Sequence, residues 1–207
     1  MESVANRRPL KSRATPWAAW ITRQVLRTPL TPNAVSMLGI GFAAAGAGAF
    51  LLAGAGSRWW WLAGAAAVQL RLLANLLDGL VAVEGGRHSP TGALWNEFPD
   101  RIEDSLLLVA AGYAAGQPAL GWMAALMAMA TAYVRALGGG LGLGQDFSGP
   151  LAKPQRMALL TGGAIAAPVL PALPVIPATL ALIAAGAALT AMRRLQRQAN
   201  ALREQGR

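Results

Sequence analysis

The acidic side chains of this sequence are concentrated in one short segment, residues 75–104. Six of the nine acids in the chain lie there: Asp78, Glu84, Glu97, Asp100, Glu103 and Asp104. Carboxylate oxygens suit hard cations such as Mg²⁺ or Mn²⁺, which commonly serve phosphate chemistry. A carboxylate that holds no metal can act as general base toward a hydroxyl. The segment therefore indicates a metal-assisted displacement at a phosphate.

Two helical faces can bring the polar residues of this segment together. If the chain is helical there, Asn75, Asp78, Gly79 and Ala82 fall within an arc of about 100°. Gly92, Asn96, Asp100 and Asp104 follow at intervals of four and drift by about 40° per step. Gly79, Ala82 and Gly92 carry little side chain, so they leave room for a ligand against the backbone. A different interpretation also fits, namely that the acids pair with Arg71, Arg87, Arg101 and Arg135 in a structural network.

The composition predicts that these helices belong to a membrane protein. The 207 residues are 55% hydrophobic and the mean hydropathy is +0.41, whereas only 13% are charged, about half the share in soluble domains. Cysteine is absent, which excludes disulfides and thiolate metal sites. We expect an all-α integral membrane protein.

The hydropathy pattern predicts one domain, residues 1–207, with six transmembrane helices. An N-terminal arm, residues 1–30, contains an amphipathic helix at the interface, over about residues 15–28. A six-helix bundle, residues 33–194, follows, and residues 195–207 form a tail. The predicted spans are about 33–55, 59–84, 90–116, 118–138, 156–172 and 176–194.

The net charge of +9 is placed as membrane topology requires, not as a nucleic-acid surface requires. With six spans, the Arg and Lys residues before the first apolar run, after the last one, and in the loops that contain Arg87 and Lys153 all lie on one side of the membrane. Arg58 alone lies on the opposite side. The positive-inside rule then puts both termini and the acidic segment on the cytoplasmic side of the inner membrane. We expect contacts with anionic lipids and no nucleic-acid partner.

The spacing of the acidic segment resembles the signature of the CDP-alcohol phosphatidyltransferases, D-x-x-D-G-x-x-A-R, eight residues, then G-x-x-x-D-x-x-x-D. This chain has Asn75, Asp78, Gly79, Ala82 and Val83, then eight residues, then Gly92, Asn96 and Asp100. Every spacing is kept, and five of the eight defining residues match. The six spans and the "TPN" before the first span are also similar to that family.

The resemblance implies a role for each of these positions. Asn75, Asp78 and Asn96 would be ligands of Mg²⁺ or Mn²⁺, as would Asp100, which would also activate the acceptor hydroxyl. Gly79, Ala82 and Gly92 would line the site of a CDP-alcohol, usually CDP-diacylglycerol. The hydroxyl of the acceptor would attack the β-phosphorus, and CMP would leave.

Three departures from the signature lower the charge of the expected site. Asn75 and Asn96 can still ligate through the amide oxygen, but the quartet carries about −2 instead of −4. We therefore expect an aspartate at either position to tighten metal binding. Val83 replaces an Arg. Three nearby residues are candidate substitutes: Glu97 as a metal ligand, Asp104 as a second catalytic carboxylate, and Arg71 as the cation beside the nucleotide.

The sequence leaves alternatives open for the acceptor and for the oligomeric state. Arg135, Lys153 and Arg156 are positioned to hold an acceptor phosphate, as in glycerol 3-phosphate, our first choice, or inositol phosphate. Flanking cations that only set topology would look the same. Gly39, Ala43 and Ala47, like Gly41 and Ala45, fit either tight packing within one bundle or the seam of a homodimer. The rival functions are an inactive nucleotide- or lipid-binding subunit and a small ion-coupled transporter.

Overall fold

The computed structural model describes residues 15–86 and 91–206, except for the side chains of Ala93 and Asn96. Within these ranges the regular structure is entirely helical, which confirms the predicted all-α class. Seven helices follow one another along the chain: α1 (Pro16–Leu26), α2 (Pro32–Ala55), α3 (Trp60–Glu84), α4 (Gly92–Ala114), α5 (Pro118–Gly140), α6 (Lys153–Ala166) and α7 (Val175–Glu204).

Local sequence explains several of the helix starts. Pro32 and Pro118 occupy the first turns of α2 and α5, where the backbone N–H that proline lacks would be unpaired in any case. The Thr31 hydroxyl caps α2 by accepting a hydrogen bond of 3.2 Å from the backbone N–H of Ala34. Pro99, by contrast, lies inside α4, and the helix continues through it.

Four helices of the described chain are long and apolar enough to cross a membrane: α2, α3, α5 and α7. The chain is therefore a membrane protein. The other two candidates for spans differ in kind, since α6 has only 14 residues and α4 carries the acidic cluster among its 23. The count of six spans stays a prediction.

The packing order brings the polar ends of several helices together. Helix α2 packs against α3 and α4, α5 packs against α4 and α7, and α6 contacts α3 and α7. Fully buried apolar side chains from five helices fill the centre: Phe50, Val68, Leu107, Leu160 and Leu180. Because α3 ends where α4 begins, the polar residues of both helices lie at one end of the bundle.

Small residues let α4 and α5 approach closely. A Cβ atom placed on Gly112 of α4 would lie 2.6 Å from the Cα atom of Gly121 on α5. Only hydrogen side chains fit at such a crossing, as is common between membrane helices. Since α4 carries the acidic cluster, this contact fixes it against the rest of the bundle.

The ends of the last two helices differ from the prediction. Helix α6 ends at Ala166, not near residue 172, because Pro168 and the prolines that follow cannot extend a helix. Helix α7 continues past residue 194 to Glu204, so most of the expected tail is helical. Residue 207, the loop residues 87–90 and residues 1–14 of the arm lie outside the described residues.

Helix α1 occupies the position of the predicted interfacial helix. Its Ala18 packs against Leu76 and Leu80 of α3, while Trp17 and Trp20 are exposed. One side of α1 thus faces the bundle, and the other presents two aromatic rings. Its placement at a membrane interface stays a prediction.

Candidate active site

The charged residues of α3 and α4 meet at the end of the bundle that the two helices share. The side chains contributed by α3 are Arg71, Asn75 and Asp78, and those contributed by α4 are Asp100, Glu103 and Asp104. Residues three or four positions apart share a helical face, so each set points toward the other. Helix α2 adds Ser36, and α6 adds Lys153 and Arg156.

Asp104 lies at the centre of a buried ion-pair triad. One of its carboxylate oxygens accepts from Nη2 of Arg71, and the other accepts from Nη2 of Arg156 at 2.7 Å. All three side chains are almost fully buried. A buried charge is tolerated when it is paired in this way. The triad connects α3, α4 and α6.

The acids of α4 occupy Nε and Nη2 of Arg71, the expected substitute for the missing cation beside the nucleotide, while its Nη1 is buried with no hydrogen-bond partner among the described residues. Its Nε donates to Glu103 at 2.6 Å, and its Nη2 also reaches the backbone carbonyl of Asp100 at 3.4 Å. The guanidinium is enclosed by α4 and has no exposed surface. Arg71 is thus directed toward the acids of α4.

Asp78, a predicted metal ligand, is buried beside α2. The hydroxyl of Ser36 donates to its Oδ2 at 2.7 Å. Its Oδ1 is buried and has no hydrogen-bond partner among the described residues. An unpaired carboxylate oxygen in such a place is costly unless something binds it. This oxygen is therefore free to receive a ligand.

Asn75 contacts two carboxylates through its amide nitrogen. Nδ2 donates to Oδ1 of Asp100 and, at 2.9 Å, to Oε2 of Glu103. The substitution Asn75→Asp would place a third carboxylate against these two. The contacts of this residue therefore predict weaker metal binding for Asn75→Asp, the opposite of the expectation from the signature.

Asp100 is the accessible carboxylate of the cluster. It contacts Nζ of Lys153 and lies 3.5 Å from Nη2 of Arg101. Its side chain retains 16% of its exposure, against 3% for Asp104. A general base must reach the proton it accepts, and Asp100 meets that condition better than Asp104.

Glu97 pairs with two arginines, one of which, Arg101, also lies near Asp100. It contacts Nη2 of Arg135 and lies 3.3 Å from Nη2 of Arg101, with 45% of its side chain exposed. Arg135 also donates to Gln145 at 3.1 Å and stacks over the ring of Phe147 at 5.0 Å. Glu97 is thus part of an ion-pair group at the rim of the site and does not lie beside Asp78.

The role of the small signature residues in lining a donor site stays a prediction. Gly79 and Ala82 on α3, and Gly92 at the start of α4, are all partly exposed. Val83, at the position of the missing Arg, is exposed. The side chain of Asn96 lies outside the described residues, so its role as a metal ligand stays a prediction.

A second polar group adjoins the triad from α5 and α7. Arg156 donates to the hydroxyl of Thr131 at 3.1 Å, and Arg194 donates to the backbone carbonyl of Thr131 at 2.8 Å. Both guanidinium groups are buried, yet Arg156 Nε and Arg194 Nη2 lack hydrogen-bond partners within the described chain. Two unpaired cationic donors on either side of one residue favour an anion as ligand.

Positive and negative charges balance across the site. The acids are Asp78, Glu97, Asp100, Glu103 and Asp104, and the cations that surround them are Arg71, Arg101, Arg135, Lys153 and Arg156. With every group ionised the set is neutral. A divalent cation that binds here therefore adds net positive charge, which an anionic substrate beside it would offset.

The oxygen donors fit a hard divalent cation, although the site is not a closed cage. Among the described residues no three His, Cys, Asp or Glu side chains converge as in a preformed metal centre. The unpaired buried oxygens of Asp78 and Glu103 are nonetheless the donor type that Mg²⁺ and Mn²⁺ prefer. Since Mg²⁺ usually binds few carboxylates together with substrate phosphates, an open site of this kind suits it.

Sequence reasoning missed three contributors to the site. Ser36 and Gly39 lie on one face of α2, three residues apart, but they carry no charge and match nothing in the signature. Glu103 is one of the six acids of residues 75–104, but the family signature assigns it no role. The detectable signal was its spacing of three residues from Asp100, which puts it on the same face of α4.

Comparison with known proteins shows which enzymes this chain is similar to. The chain is 32% identical over 152 residues to the phosphatidylinositol phosphate synthase of Mycolicibacterium smegmatis, covering 70% of this chain and 65% of that protein. It is also 36% identical over 115 residues to a bifunctional IPC transferase and DIPP synthase of Rubrobacter xylanophilus, covering 54% of this chain but 25% of that protein. The chain thus spans less than two thirds of the curated relatives it matches. No family model matches it.

Solved structures agree with the sequence relatives. The Mycobacterium tuberculosis phosphatidylinositol phosphate synthase with manganese and citrate superposes with a TM-score of 0.75 at 25% identity, covering 87% of this chain and 88% of that one. The same enzyme with CDP-DAG bound gives 0.74 at 26% identity, covering 88% and 93%. These matches fit the CDP-alcohol phosphatidyltransferase family, whose signature the spacing of residues 75–100 resembles.

Proposed function

We propose that this protein transfers a phosphatidyl or similar phospho-alcohol group from a CDP-alcohol to an acceptor hydroxyl, with release of CMP. The donor we favour is CDP-diacylglycerol, because a structural relative was solved with CDP-DAG bound. The observation that carries the proposal is the juxtaposition of Asp78, with its unpaired buried oxygen, and the accessible Asp100 at the open end of α3 and α4. Phospholipid biosynthesis is the metabolic setting.

Asp100 acts as the general base in this proposal. The acceptor hydroxyl gives its proton to the Asp100 carboxylate while its oxygen forms a bond to the β-phosphorus of the donor. The bond between that phosphorus and the CMP oxygen breaks, and CMP leaves with the electron pair. Gly79, Ala82 and Gly92 leave space for the donor beside the two helices.

The residues that would hold Mg²⁺ or Mn²⁺ are Asp78 and Asp100, with the amide oxygens of Asn75 and Asn96. Such an ion supplies charge neutralisation to the diphosphate of the donor. The manganese in the tuberculosis relative supports a divalent ion in this site. Glu97 drops out of this set because it is paired with Arg135 and Arg101.

Asp104 and Arg71 position the catalytic residues and do not themselves react. Both are buried in the triad, where Arg71 fixes the α4 acids against α3 and Asp104 fixes α4 against α6. Active-site carboxylates keep a productive geometry only when their surroundings hold them. The triad supplies that support.

An inositol phosphate is the acceptor we now favour over glycerol 3-phosphate. The Mycolicibacterium smegmatis and Mycobacterium tuberculosis relatives are named phosphatidylinositol phosphate synthase, and neither name includes glycerol 3-phosphate. Lys153, Arg135 and Arg156 remain the proposed contacts to the acceptor phosphate, and Arg194 joins them because of its unpaired Nη2. When Lys153 turns to that phosphate, it leaves Asp100 free to accept the hydroxyl proton.

The test is CMP release from radiolabelled CDP-diacylglycerol by purified protein in nanodiscs, with Mn²⁺ or Mg²⁺ and a panel of acceptors. We expect release with an inositol phosphate and much less with glycerol 3-phosphate or inositol. Asp78→Asn and Asp100→Asn should each reduce the rate by two orders of magnitude or more, about the contribution of a positioned base. Glu204→Gln, at the far end of α7, is the matched control.

A nucleotide- or lipid-binding subunit without activity is the alternative that the same assay addresses. Its motivation is the neutral, Asn-containing site. Tight binding of CDP-diacylglycerol with no CMP released by any acceptor would establish that alternative and refute the transferase.

A further inference from the structure

Glu103 is the buried acid for which neither the family signature nor the proposed reaction has a use. It lies on α4 one turn beyond Asp100 and has no exposed surface. Its Oε2 accepts from both Arg71 and Asn75, at 2.6 and 2.9 Å. Its Oε1 is buried without a hydrogen-bond partner among the described residues. A group of this kind calls for a ligand.

The unpaired oxygen of Glu103 lies beside the amide oxygen of Asn75. Both face Gly39 of α2: a Cβ atom there would be 2.6 Å from Glu103 Oε1 and 2.9 Å from Asn75 Oδ1. Because Gly39 has no side chain, two oxygens from different helices can converge against the α2 backbone. Asp78, one turn along α3 from Asn75, adds a further unpaired buried oxygen.

The contacts of Asn75 show why the amide and the extra acid occur together. Its nitrogen bridges Asp100 and Glu103, which stabilises two neighbouring carboxylates. An aspartate at position 75 could not donate either bond and would repel both acids. Conversely, without Glu103 the site would lack the negative charge that an aspartate at position 75 would supply.

We propose that Glu103 supplies the divalent-cation site with the carboxylate absent from position 75, so that Asn75 and Glu103 act as an exchange pair. Where the family signature has a carboxylate on α3, this chain has one on α4, joined to Asn75 by one hydrogen bond. This inference rests on the proposed function only in requiring a divalent cation at the site. It makes Glu103 a cation ligand and Asn75 the residue that holds it in place.

A simpler role for Glu103 is that of counter-ion to Arg71 alone. Arg71, however, already contacts Asp104, and the counter-ion role uses only Oε2. The two roles differ in what they predict. A counter-ion affects the stability of the fold, whereas a cation ligand affects the affinity for metal in the folded protein.

The test is Mn²⁺ titration of the full chain in nanodiscs of uncharged lipid, without nucleotide, with free Mn²⁺ measured by electron paramagnetic resonance. Glu103→Gln should weaken Mn²⁺ binding by about 10-fold or more, since even loss of a residue that only orients a metal ligand costs about 10–100-fold in affinity. Asn75→Asp alone should also weaken it, because of the added repulsion. The double variant Asn75→Asp/Glu103→Gln should return to within about threefold of wild type, since coupled neighbours are not additive.

Thermal melting of each variant separates folding from binding, and Glu204→Gln is the matched carboxylate control. Unchanged Mn²⁺ affinity in Glu103→Gln, with or without a lower melting temperature, would overturn the proposal. So would a double variant that binds no better than the single variants. The double variant preserves the total charge, so it also serves if Glu103→Gln fails to fold. Glu103-dependent Mn²⁺ binding without CMP release would instead refute the proposed transferase and leave the exchange pair standing.

Discussion

Asp100 and Asp104 lie one turn apart on α4, yet they differ in burial and in their ion-pair partners. Asp104 is enclosed between two guanidinium groups. Asp100 shares its charge with an amide and an ammonium group and keeps access to the open end of the site. From this difference in burial we propose chemistry at Asp100 and structural support at Asp104.

Alanine substitutions should separate these two roles. We expect Asp104→Ala to lower the free energy of unfolding by about 3–5 kcal/mol, because two buried cations lose their partner. Asp100→Ala should reduce stability much less but abolish CMP release. Denaturant unfolding in detergent, followed by circular dichroism, measures the first effect. Equal loss of stability in both variants would contradict the assignment of Asp104 to a structural triad.

At the scale of single residues, spacing located the core of the site but not all of its members. Asp78 and Asp100 follow from helical periodicity and the signature. Ser36 and the partner choice of Glu97 depend on how α2 and α5 pack, which no local pattern encodes. The sequence leaves Arg71 two roles, a cation beside the nucleotide or a partner of the acids, and the packed structure shows it paired with Glu103 and Asp104.

At the scale of elements, the loop between α5 and α6 is fastened to the end of α7. Arg197 donates to Asp146 at 2.8 Å, and Arg194 donates to the backbone carbonyl of Ser148 at 2.8 Å. Partial burial alone would raise the pKa of Asp146, but hydrogen bonds from Ser148 and Arg197 hold that pKa below its usual value. The charged form of Asp146 therefore stabilises the fold.

The Asp146 contact should make stability depend on pH in a defined direction. Because its pKa is lower in the folded state, its contribution is present above its unfolded pKa of about 3.9 and is lost as pH falls through the folded value. We expect Asp146→Asn to cost about 0.5–1.5 kcal/mol at pH 7 and progressively less below pH 4. Unfolding measured from pH 7 to pH 3 checks this. A cost that stays constant over that range would contradict it.

Helix positions were predictable because apolar runs and prolines mark them, whereas their ends were less so. Helix α7 continues past residue 194 because Arg194 and Gln198 hydrogen-bond to backbone carbonyls of α5. The apolar run of α7 ends where its arginines begin, and hydropathy cannot detect contacts made by side chains beyond that point.

The small residues of α2 fall into two groups: Gly39, Ala43 and Ala47 face the bundle, but Gly41 and Ala45 face outward. Only the outward pair remains available for a homodimer seam.

At the scale of the whole molecule, we propose six spans with both termini and the active site on the cytoplasmic side. Four helices qualify by composition. Helices α4 and α6 complete the count if their polar residues are shielded by neighbours, as the burial of Asp104 and Arg156 indicates. The inner membrane is the corresponding location.

Single cysteines can test this topology, because the chain has none of its own. Ser57→Cys lies between α2 and α3, and Gln205→Cys lies just after α7. In intact cells, a membrane-impermeant maleimide should label Ser57→Cys and not Gln205→Cys. Both should react once the membrane is opened, which controls for accessibility. Labelling of Gln205→Cys in intact cells would reverse the orientation.

The length of α7 indicates how far into a membrane the candidate site would lie. At about 1.5 Å per residue, Arg194 lies about 29 Å from the start of the helix, close to the full hydrocarbon thickness of about 30 Å. The remaining turns of α7 extend beyond that level to Glu204. In the proposed reaction, a donor whose acyl chains stay in the hydrocarbon and an acceptor that stays in water would then meet near the level of Arg194, and neither would have to cross the boundary.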